Sequence, residues 1–373
     1  MKERFVTLHP PGTSVDLNKD EGQIPYTLHK YYSTDSKLVT CHINNSEANL
    51  DTVQGLKIEH FPHIMSNAIT GAIYILLNAN KIDWLNIYFA GRQAYVWTKL
   101  YKLLNKKGKV YLKLDMDFRG CDLYDTNLYE RKIFTKNTEV VDLVSVESEA
   151  VKKRIQTYSS KEIIVINDGV SDYDCIPTHN NKNRENTFLT VARLGTRQKA
   201  TDILLEAFAK STDQHDWNLK LVGTVDDTFK PYISNFFEKH PELVNRVNFA
   251  GEIKDRAKLY DEYCKAKVFV LASRWESYGI SCAEALSCGC RLILSDAIPP
   301  AKEMTDNGKY GKIIKPDDVD LLSEAMIEAT RTEYTHKDIC ERVDYAKKMF
   351  SWEKICEQLY DAMEQANGRK NGI

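Results

Sequence analysis

Two glutamates flank a glycine turn in the second half of the chain, and together they could hold a ligand rich in hydroxyl groups. The segment reads Glu276-Ser277-Tyr278-Gly279-Ile280-Ser281-Cys282-Ala283-Glu284. Gly279 permits a sharp turn and a close approach of the backbone to a ligand. Because a helix is predicted over 281–287, the amides of Ile280 and Ser281 lie at its N-terminus, which attracts phosphate or sugar oxygens. Carboxylates on both sides of such an anion site suit a nucleotide sugar, with ribose at one end and hexose at the other.

The elements that must position these residues alternate between apolar runs and helical patterns, which is typical of βαβ units and parallel sheets. In the first half, strands are predicted at 5–8, 37–43, 56–60, 85–90, 109–114, 143–146 and 162–166. In the second half they are predicted at 187–191, 219–222, 247–249, 268–271, 291–294 and 312–314. Helical stretches such as 67–77, 94–104, 147–158, 201–209 and 318–330 lie between them.

A segment rich in Pro, His, Asn and Lys interrupts this alternation, and we interpret residues 173–186 as a linker. The chain of 373 residues then divides into a first domain at 1–172 and a second at 187–350, each long enough for its own core. Ligands of doubly wound sheets bind at the carboxyl ends of the strands. The pattern alone fits either a nucleotide-binding enzyme or a protein of the periplasmic-binder type.

The glutamate segment resembles the E-x7-E motif of retaining GT-B glycosyltransferases, glycosyltransferase family 4 in particular. The resemblance implies two Rossmann-like doubly wound domains facing a cleft, with nucleotide-sugar donor binding in the second domain. It also implies that the C-terminal helix at 351–373 crosses back to pack on the first domain. Glu276 would then bind hexose hydroxyls and Glu284 ribose hydroxyls, and the reaction would retain configuration without a protein nucleophile.

Further residues of the second half match the same family. The loop Arg193-Leu194-Gly195-Thr196-Arg197-Gln198-Lys199 resembles the family loop whose Arg and Lys bind the diphosphate, which points to Arg193 and Lys199. Lys199 stands one position later than in the commonest spacing, so Arg197 is an alternative. Gly223 and the turn containing Gly251 and Ile253 match later strand ends, and that turn usually holds the base. Fixed Arg and Lys donors with a helix N-terminus can stabilise a leaving diphosphate without a metal ion.

The first half offers weaker candidates. Gly12 and Gly22 stand where the family often has a glycine-rich loop near the donor phosphates, although an ordinary turn explains them equally well. Asp115 or Asp117 follows a predicted strand and could lie near the reacting carbon, together with Lys113, in the place where relatives have a histidine. A salt-bridged strand end is the simpler interpretation. Asp115-Met116-Asp117 also spells D-x-D, which holds a divalent metal in another glycosyltransferase fold, but the donor motifs lie elsewhere, so no metal or other cofactor is expected.

Composition bears on partners and location. The net charge of −2, from 51 basic and 53 acidic residues, gives no overall field for nucleic acid, and the nine cysteines favour a reducing compartment. We therefore expect a cytoplasmic protein. The stretch 94–104 with Lys99, Lys102, Lys106 and Lys107 is amphipathic and basic at its end, so it either contacts the inner face of the cell membrane or forms a solvated face.

The sequence thus predicts a metal-independent hexosyltransferase that uses a nucleotide-diphosphate hexose or N-acetylhexosamine, with UDP favoured. Its acceptor would be a glycan, a lipid-linked sugar or a glycoprotein in cell-surface glycan biosynthesis. Two alternatives stay open. One is a catalytically silent relative that binds glycan or stabilises a partner, and the other is a GT-B nucleotide-sugar epimerase. The sequence leaves the oligomeric state undetermined.

Overall fold

The computed structural model describes residues 2–43, 50–171, 184–214 and 216–368, which fall into two compact units. Unit 1 consists of Met1–Ser171 and Phe350–Ile373, and unit 2 of Asp172–Met349. The predicted linker at 173–186 lies mostly outside the described residues. Its last two residues, Glu185 and Asn186, already belong to a strand.

Most strands of unit 1 are short, largely buried apolar runs, as expected for parallel sheets covered by helices, whereas the edge strand at 57–60 is polar and partly exposed. They are β1 Arg4–Leu8, β2 Asp35–Thr40, β3 Lys57–His60, β4 Trp84–Tyr88, β5 Lys109–Lys113, β6 Leu143–Val146 and β7 Ile164–Val165. They form one parallel sheet in the order β3-β2-β1-β4-β5-β6-β7. The order reverses between β1 and β4, which is the Rossmann arrangement.

Unit 2 repeats this design. Its strands are β8 Glu185–Val191, β9 Asn218–Val222, β10 Val247–Gly251, β11 Ala266–Leu271, β12 Arg291–Ser295 and β13 Gly311–Ile314. They pair in parallel in the order β10-β9-β8-β11-β12-β13. The reversal between β8 and β11 places a ligand-binding edge at the carboxyl ends of these two strands.

Helices connect the strands, and short polar side chains fix many of their starts. They are α1 Asp20–Tyr31, α2 Asn67–Asn78, α3 Arg92–Leu104, α4 Phe118–Thr126, α5 Leu128–Val140, α6 Glu149–Ile155, α7 Thr201–Ser211, α8 Lys230–Lys239, α9 Arg256–Lys265, α10 Ile280–Ser287, α11 Ala301–Met304, α12 Val319–Thr330, α13 His336–Phe350 and α14 Trp352–Ala366. Asp117 and Asn127 accept amide hydrogen bonds at the starts of α4 and α5, two helices that the apolar pattern did not predict. Ser148 caps α6, which therefore begins later than the predicted 147–158.

Helix α14 belongs to unit 1, in agreement with the predicted return of the C-terminal helix. Trp352, Leu359 and Met363 are buried in a cluster with Phe5 and Trp84 from the unit 1 sheet. The chain leaves and re-enters unit 1 at adjacent points, since the Val170 amide donates to the Phe350 carbonyl at 2.8 Å.

Candidate functional site

The loops after β8 and β11 hold several of the residues that the sequence singled out. β8 and β11 are neighbours in the sheet, so their carboxyl ends meet at the point where the strand order reverses. The β8 loop carries Arg193 and Lys199, and the β11 loop carries Glu276 and Gly279. The structure thus brings together residues about 80 positions apart in the sequence, at the edge where ligands of such sheets bind.

Glu276 is the fixed carboxylate of this edge. It is only 6% exposed, and its Oε1 accepts hydrogen bonds from Ser273 Oγ at 2.7 Å and from Lys199 Nζ. Gln198 Nε2 donates to the Trp275 carbonyl at 3.0 Å and approaches Glu276 Oε2 at 3.4 Å. A nearly buried carboxylate needs such partners, and they orient it for a further ligand.

Arg274 joins the two loops and was missed by the sequence reasoning. Its amide donates to the Gln198 carbonyl and its Nη1 to the Arg197 carbonyl, both at 2.8 Å. Its guanidinium also forms ion pairs with Asp202 and Asp317. Arg274 therefore fixes the backbone of the β8 loop, and its position between β11 and Glu276 was the available signal.

Arg193, the predicted diphosphate ligand, has an exposed side chain whose Nη2 donates to Gln198 Oε1 at 3.1 Å. Gln198 contacts the Glu276 carboxylate as well, so it links Arg193 to Glu276, which Lys199 also contacts. Arg197, the alternative to Lys199, is exposed, whereas Lys199 reaches Glu276. Of these two side chains, the structure places that of Lys199 beside Glu276.

Gly279 forms the turn that starts α10. Its φ of +88° lies in the left-handed region that favours glycine, and the helix continues from Ile280. The first amides of a helix have no partner within it, and here Ile280 and Ser281 are partly accessible. Ser277 is partly accessible too, whereas the Tyr278 side chain is buried in the core. The turn thus presents backbone donors next to the Glu276 carboxylate.

Glu284 lies on α10 and is 5% exposed. Its Oε1 accepts from Arg256 Nη2 at 2.6 Å and its Oε2 from the Tyr263 hydroxyl at 2.9 Å. Burial, with the Glu284 charge, raises the pKa of Tyr263 well above its ordinary value, so this hydroxyl remains a donor. A carboxylate has about four acceptor positions, so Glu284 keeps acceptor capacity for a further ligand. Sequence reasoning missed both Arg256 and Tyr263, which lie on α9.

The predicted glycines of unit 2 differ in their surroundings. Gly223, at φ +137°, follows β9, and a Cβ there would lie 1.8 Å from the Ala192 carbonyl oxygen. Its amide donates to the Gly251 carbonyl at 2.9 Å. Gly251 has φ +74° with open space where a Cβ would be, and Ile253 follows it half-buried. Gly223 therefore allows the close approach of strand ends that brings Arg193 to this edge.

The candidates of unit 1 lie at the carboxyl end of its own sheet. Gly12 forms a tight turn after β1, where its amide donates to the His9 carbonyl at 3.0 Å. Gly22 lies in the first turn of α1, with the Leu17 backbone 2.6 Å from the place of a Cβ. Asp115 is exposed after β5, and Asp117 caps α4. Among the described residues no group of three or more His, Cys, Asp or Glu side chains is arranged to hold a metal ion.

Lys113 centres a buried charge cluster that the sequence reasoning did not assemble. Its fully buried Nζ contacts Glu147 at 2.8 Å, Asp168 at 2.9 Å and Asp20 at 3.3 Å. Burial raises the pKa of Asp168 to about 7, with Lys113 opposing the shift and Asp20 adding to it. The end of this strand is therefore salt-bridged, through Lys113 and its three carboxylates.

Two parallel doubly wound units, the second with a lysine-bound carboxylate beside a helix N-terminus at its switch point, define a nucleotide-binding α/β class of protein. Comparison with known proteins narrows that class. Residues 175–349 match the sequence profile of the family described as glycosyl transferases group 1. The fold of the chain is that of the GT-B glycosyltransferases, as the sequence predicted.

Solved structures share this fold along nearly the whole chain. HepE of Anabaena, determined in complex with UDP, aligns with 98% of this chain and 100% of its own at 18% identity and a TM-score of 0.73. The lipopolysaccharide outer core galactosyltransferase WaaB, in its apo form, aligns with 98% of this chain and 99% of its own at 16% identity and a TM-score of 0.73.

Curated relatives are similar over shorter regions. O-antigen chain mannosyltransferase B of Escherichia coli is 29% identical over 126 residues, 32% of this chain and 32% of its own. Phosphatidyl-myo-inositol mannosyltransferase of Mycolicibacterium smegmatis is 22% identical over 188 residues, 49% of this chain and 46% of its own. The chain thus spans less than half the length of these two relatives. Both relatives are named as mannosyltransferases.

Proposed function

We propose that the chain is a retaining glycosyltransferase that moves a hexose or N-acetylhexosamine from a nucleotide-diphosphate sugar to an acceptor. The observation that carries this proposal is the contact of Lys199 with the buried Glu276 carboxylate, directly before the left-handed Gly279 and the start of α10. A cation, a carboxylate and helix N-terminal amides at one edge of the sheet suit a ligand that joins phosphate to sugar hydroxyls.

Each group then has a role in donor binding. Arg193, Lys199 and the amides of Ile280 and Ser281 bind the diphosphate, and Glu276 accepts hydrogen bonds from hexose hydroxyls. Glu284, held by Arg256 and Tyr263, binds the ribose. The turn with Gly251 and Ile253 lies at the end of β10 and holds the base.

The chemistry that follows needs positioning and charge stabilisation, with no nucleophile from the protein. The bond between the anomeric carbon and the diphosphate oxygen breaks while the acceptor oxygen forms its bond on the same face of the sugar. The acceptor proton passes to the departing phosphate oxygen, and the Arg193 and Lys199 cations stabilise the developing negative charge. We propose that this step needs no metal ion and that Asp115 lies on the acceptor side.

The substrates are proposed from chemistry and from the neighbours. UDP is favoured as the nucleotide because HepE was solved with UDP, with UDP and glucose, and with UDP-glucose. The acceptor is proposed to be a glycan, a lipid-linked sugar or a glycoprotein in cell-surface glycan synthesis, in keeping with relatives named for O-antigen and lipopolysaccharide core transfer.

Substitution of the central ion pair tests this proposal. We expect Glu276→Ala and Lys199→Ala each to lower kcat/KM for sugar transfer by roughly 10²–10³-fold, because each removes a group that contacts the reacting donor. Transfer is measured with a panel of nucleotide sugars and acceptors, with and without EDTA. EDTA is expected to leave the rate unchanged.

Lys220 and Glu262 provide a matched control, since they form a second Lys–Glu ion pair in unit 2, away from the β8 and β11 loops. Lys220→Ala and Glu262→Ala should transfer at near the unsubstituted rate. Equal rates in all four variants would reject the assignment of the donor site, and a rate lost with EDTA and restored by Mg²⁺ or Mn²⁺ would reject metal independence.

A further inference from the structure

Helix α2 has an apolar exposed face without a single charged side chain. Its sequence from Asn67 to Asn78 contains no Asp, Glu, Lys or Arg. Tyr74 and Ile75 face the core, yet Ile69, Leu76 and Leu77 are exposed, Leu77 to 64%. A helix that is apolar on all sides is normally covered, and a contiguous exposed apolar area indicates an interaction site.

Helix α3 lies beside α2 and runs in the same direction. Near the helix starts, Trp97 Nε1 donates to the Ala68 carbonyl at 2.8 Å, and near their ends Asn105 Nδ2 donates to the Ala79 carbonyl at 3.0 Å. The last turns of the two helices therefore lie together. At that end α3 adds Leu103, which is 73% exposed, to the exposed leucines of α2.

Basic residues outnumber acidic ones in the stretch of chain that contains these leucines. Residues 61–108 contain six Lys and Arg and a single acidic residue, Asp83, which pairs with Arg4. Lys81, Lys106 and Lys107 follow the ends of the two helices and are exposed. The chain as a whole has a net charge of −2, so this excess of positive charge is local.

We propose that the exposed apolar residues of α2 and α3, together with these lysines, form a surface that docks on a bilayer containing anionic lipids. The surface, here called the α2–α3 surface, consists of Ile69, Leu76, Leu77, Val96 and Leu103 with the lysines at the helix ends. Leucines at the interface insert among the acyl chains, while lysines extend to the anionic headgroups.

A bilayer fits this surface better than a second copy of the chain does. Two copies that met through the same face would bring their lysine clusters together, and like charges oppose such a contact. An anionic bilayer complements both the charge and the apolar residues. No helix within the described ranges has the length and apolar character to cross a bilayer, so the inferred contact is with its surface.

Sedimentation of the full chain with lipid vesicles tests the proposal. We expect binding to vesicles of phosphatidylcholine with phosphatidylglycerol, weaker binding to phosphatidylcholine alone, and a decrease with added salt. The double variants Leu77→Asp/Leu103→Asp and Lys106→Glu/Lys107→Glu should each lower the partition coefficient by roughly tenfold or more. Val244→Asp, at a valine of unit 2 that is 55% exposed, and Lys337→Glu are the matched controls and should bind normally.

Thermal unfolding of every variant shows that the fold is kept, and nucleotide binding shows that the donor site in unit 2 is unaffected. Binding that does not depend on phosphatidylglycerol, or α2–α3 variants that bind like the controls, would overturn the proposal. So would a dimer in solution that Leu77→Asp/Leu103→Asp dissociates, because a second copy would then cover the surface. None of these outcomes depends on the donor-site assignment.

Discussion

Gly223 and Gly251 are two glycines of the same candidate site that tolerate a side chain very differently. Both have positive φ, at +137° and +74°. A Cβ at Gly223 would collide with the Ala192 carbonyl at 1.8 Å, whereas one at Gly251 would meet open space. The added Cβ is fixed to the Gly223 backbone, and the atom that it meets belongs to the Ala192 backbone. Only a shift of the strand ends could therefore relieve the collision.

We therefore expect Gly223→Ala to lower the free energy of unfolding by at least about 3 kcal/mol, because it adds backbone displacement to an unfavourable φ. Gly251→Ala should cost only about 1–2 kcal/mol, the ordinary penalty for a left-handed residue. Urea unfolding of the two variants measures this difference. Equal losses would show that the β8 and β9 ends separate without strain.

For individual residues, the sequence identified those that belong to a recognisable motif but not the side chains that contact them. Glu276, Gly279 and Lys199 were predicted from spacing and resemblance, and the structure brings them to one edge. Arg256 and Tyr263 lie 28 and 21 positions before Glu284 on another helix, so local patterns contain no sign that they bind it. Such contacts depend on how α9 packs against α10, which the sequence alone does not determine.

Strand ends and a helix start form the charge cluster of unit 1. Lys113 ends β5, Glu147 and Asp168 follow β6 and β7, and Asp20 begins α1. Three carboxylates around one ammonium group leave an excess of negative charge in a buried place. Burial and this excess of negative charge favour protonation of the carboxylates, and the pKa values of both Asp168 and Glu147 are raised.

The sign of the resulting pH dependence follows from this pKa. Asp168 has a pKa of about 7 in the folded chain and about 3.9 in an unfolded one. The folded state thus binds the proton more tightly, so this contribution to stability is complete below about pH 4 and is lost as pH rises through 7. Within that window the slope is about 1.4 kcal/mol per pH unit at most.

Asp168→Asn should remove the part of this slope that Asp168 contributes, because an amide does not titrate. Burial also raises the pKa of Glu147, so the contribution of Glu147 remains in both chains. We expect the unsubstituted chain to lose stability relative to this variant as pH rises from about 4 to 7. Thermal unfolding over a pH series measures it, with Glu162→Gln, whose side chain is 79% exposed, as a control of unchanged slope. A pH-independent difference would contradict the protonation of Asp168 in the folded chain.

Element prediction succeeded where apolar periodicity was strong and failed where polar residues dominate. Each strand predicted from the sequence has its counterpart in one of the two sheets, with ends shifted by a few residues. The helices α4 and α5 were missed because Gly120 and many polar residues interrupt their apolar pattern. Their capping residues, Asp117 and Asn127, were the remaining signal.

For the whole molecule, the alternation of strands and helices was enough to predict two doubly wound units, because βαβ crossovers have a fixed hand and order. The alternation of strands and helices could not predict which elements form unit 1, because one helix of this unit follows unit 2 in the sequence. Only the resemblance to a known family indicated that α14 would return.

Because α14 fills part of the unit 1 core, Leu359→Ala should destabilise that unit. Leu359 is completely buried among residues from α1 and the first strands, so its truncation should cost about 2–5 kcal/mol. Hydrogen exchange should show faster exchange for the amides of β1 and β4. Glu357→Ala, at a side chain that is 51% exposed on the same helix, should change neither quantity, and a matching loss in both variants would contradict the assignment of α14 to this core.

Unit 2 is inserted between two parts of unit 1, which meet at the Val170–Phe350 contact, and this arrangement affects folding during synthesis on the ribosome. Residues 172–349 emerge between two parts of unit 1, so the inserted unit has its complete sequence available while its host still lacks α14. Until that helix emerges, Phe5 and Trp84 lack part of the apolar cover that the finished chain gives them. During translation, unit 2 can therefore complete its packing first. The strands of unit 1 are synthesised earliest but complete their packing last, when α14 has emerged.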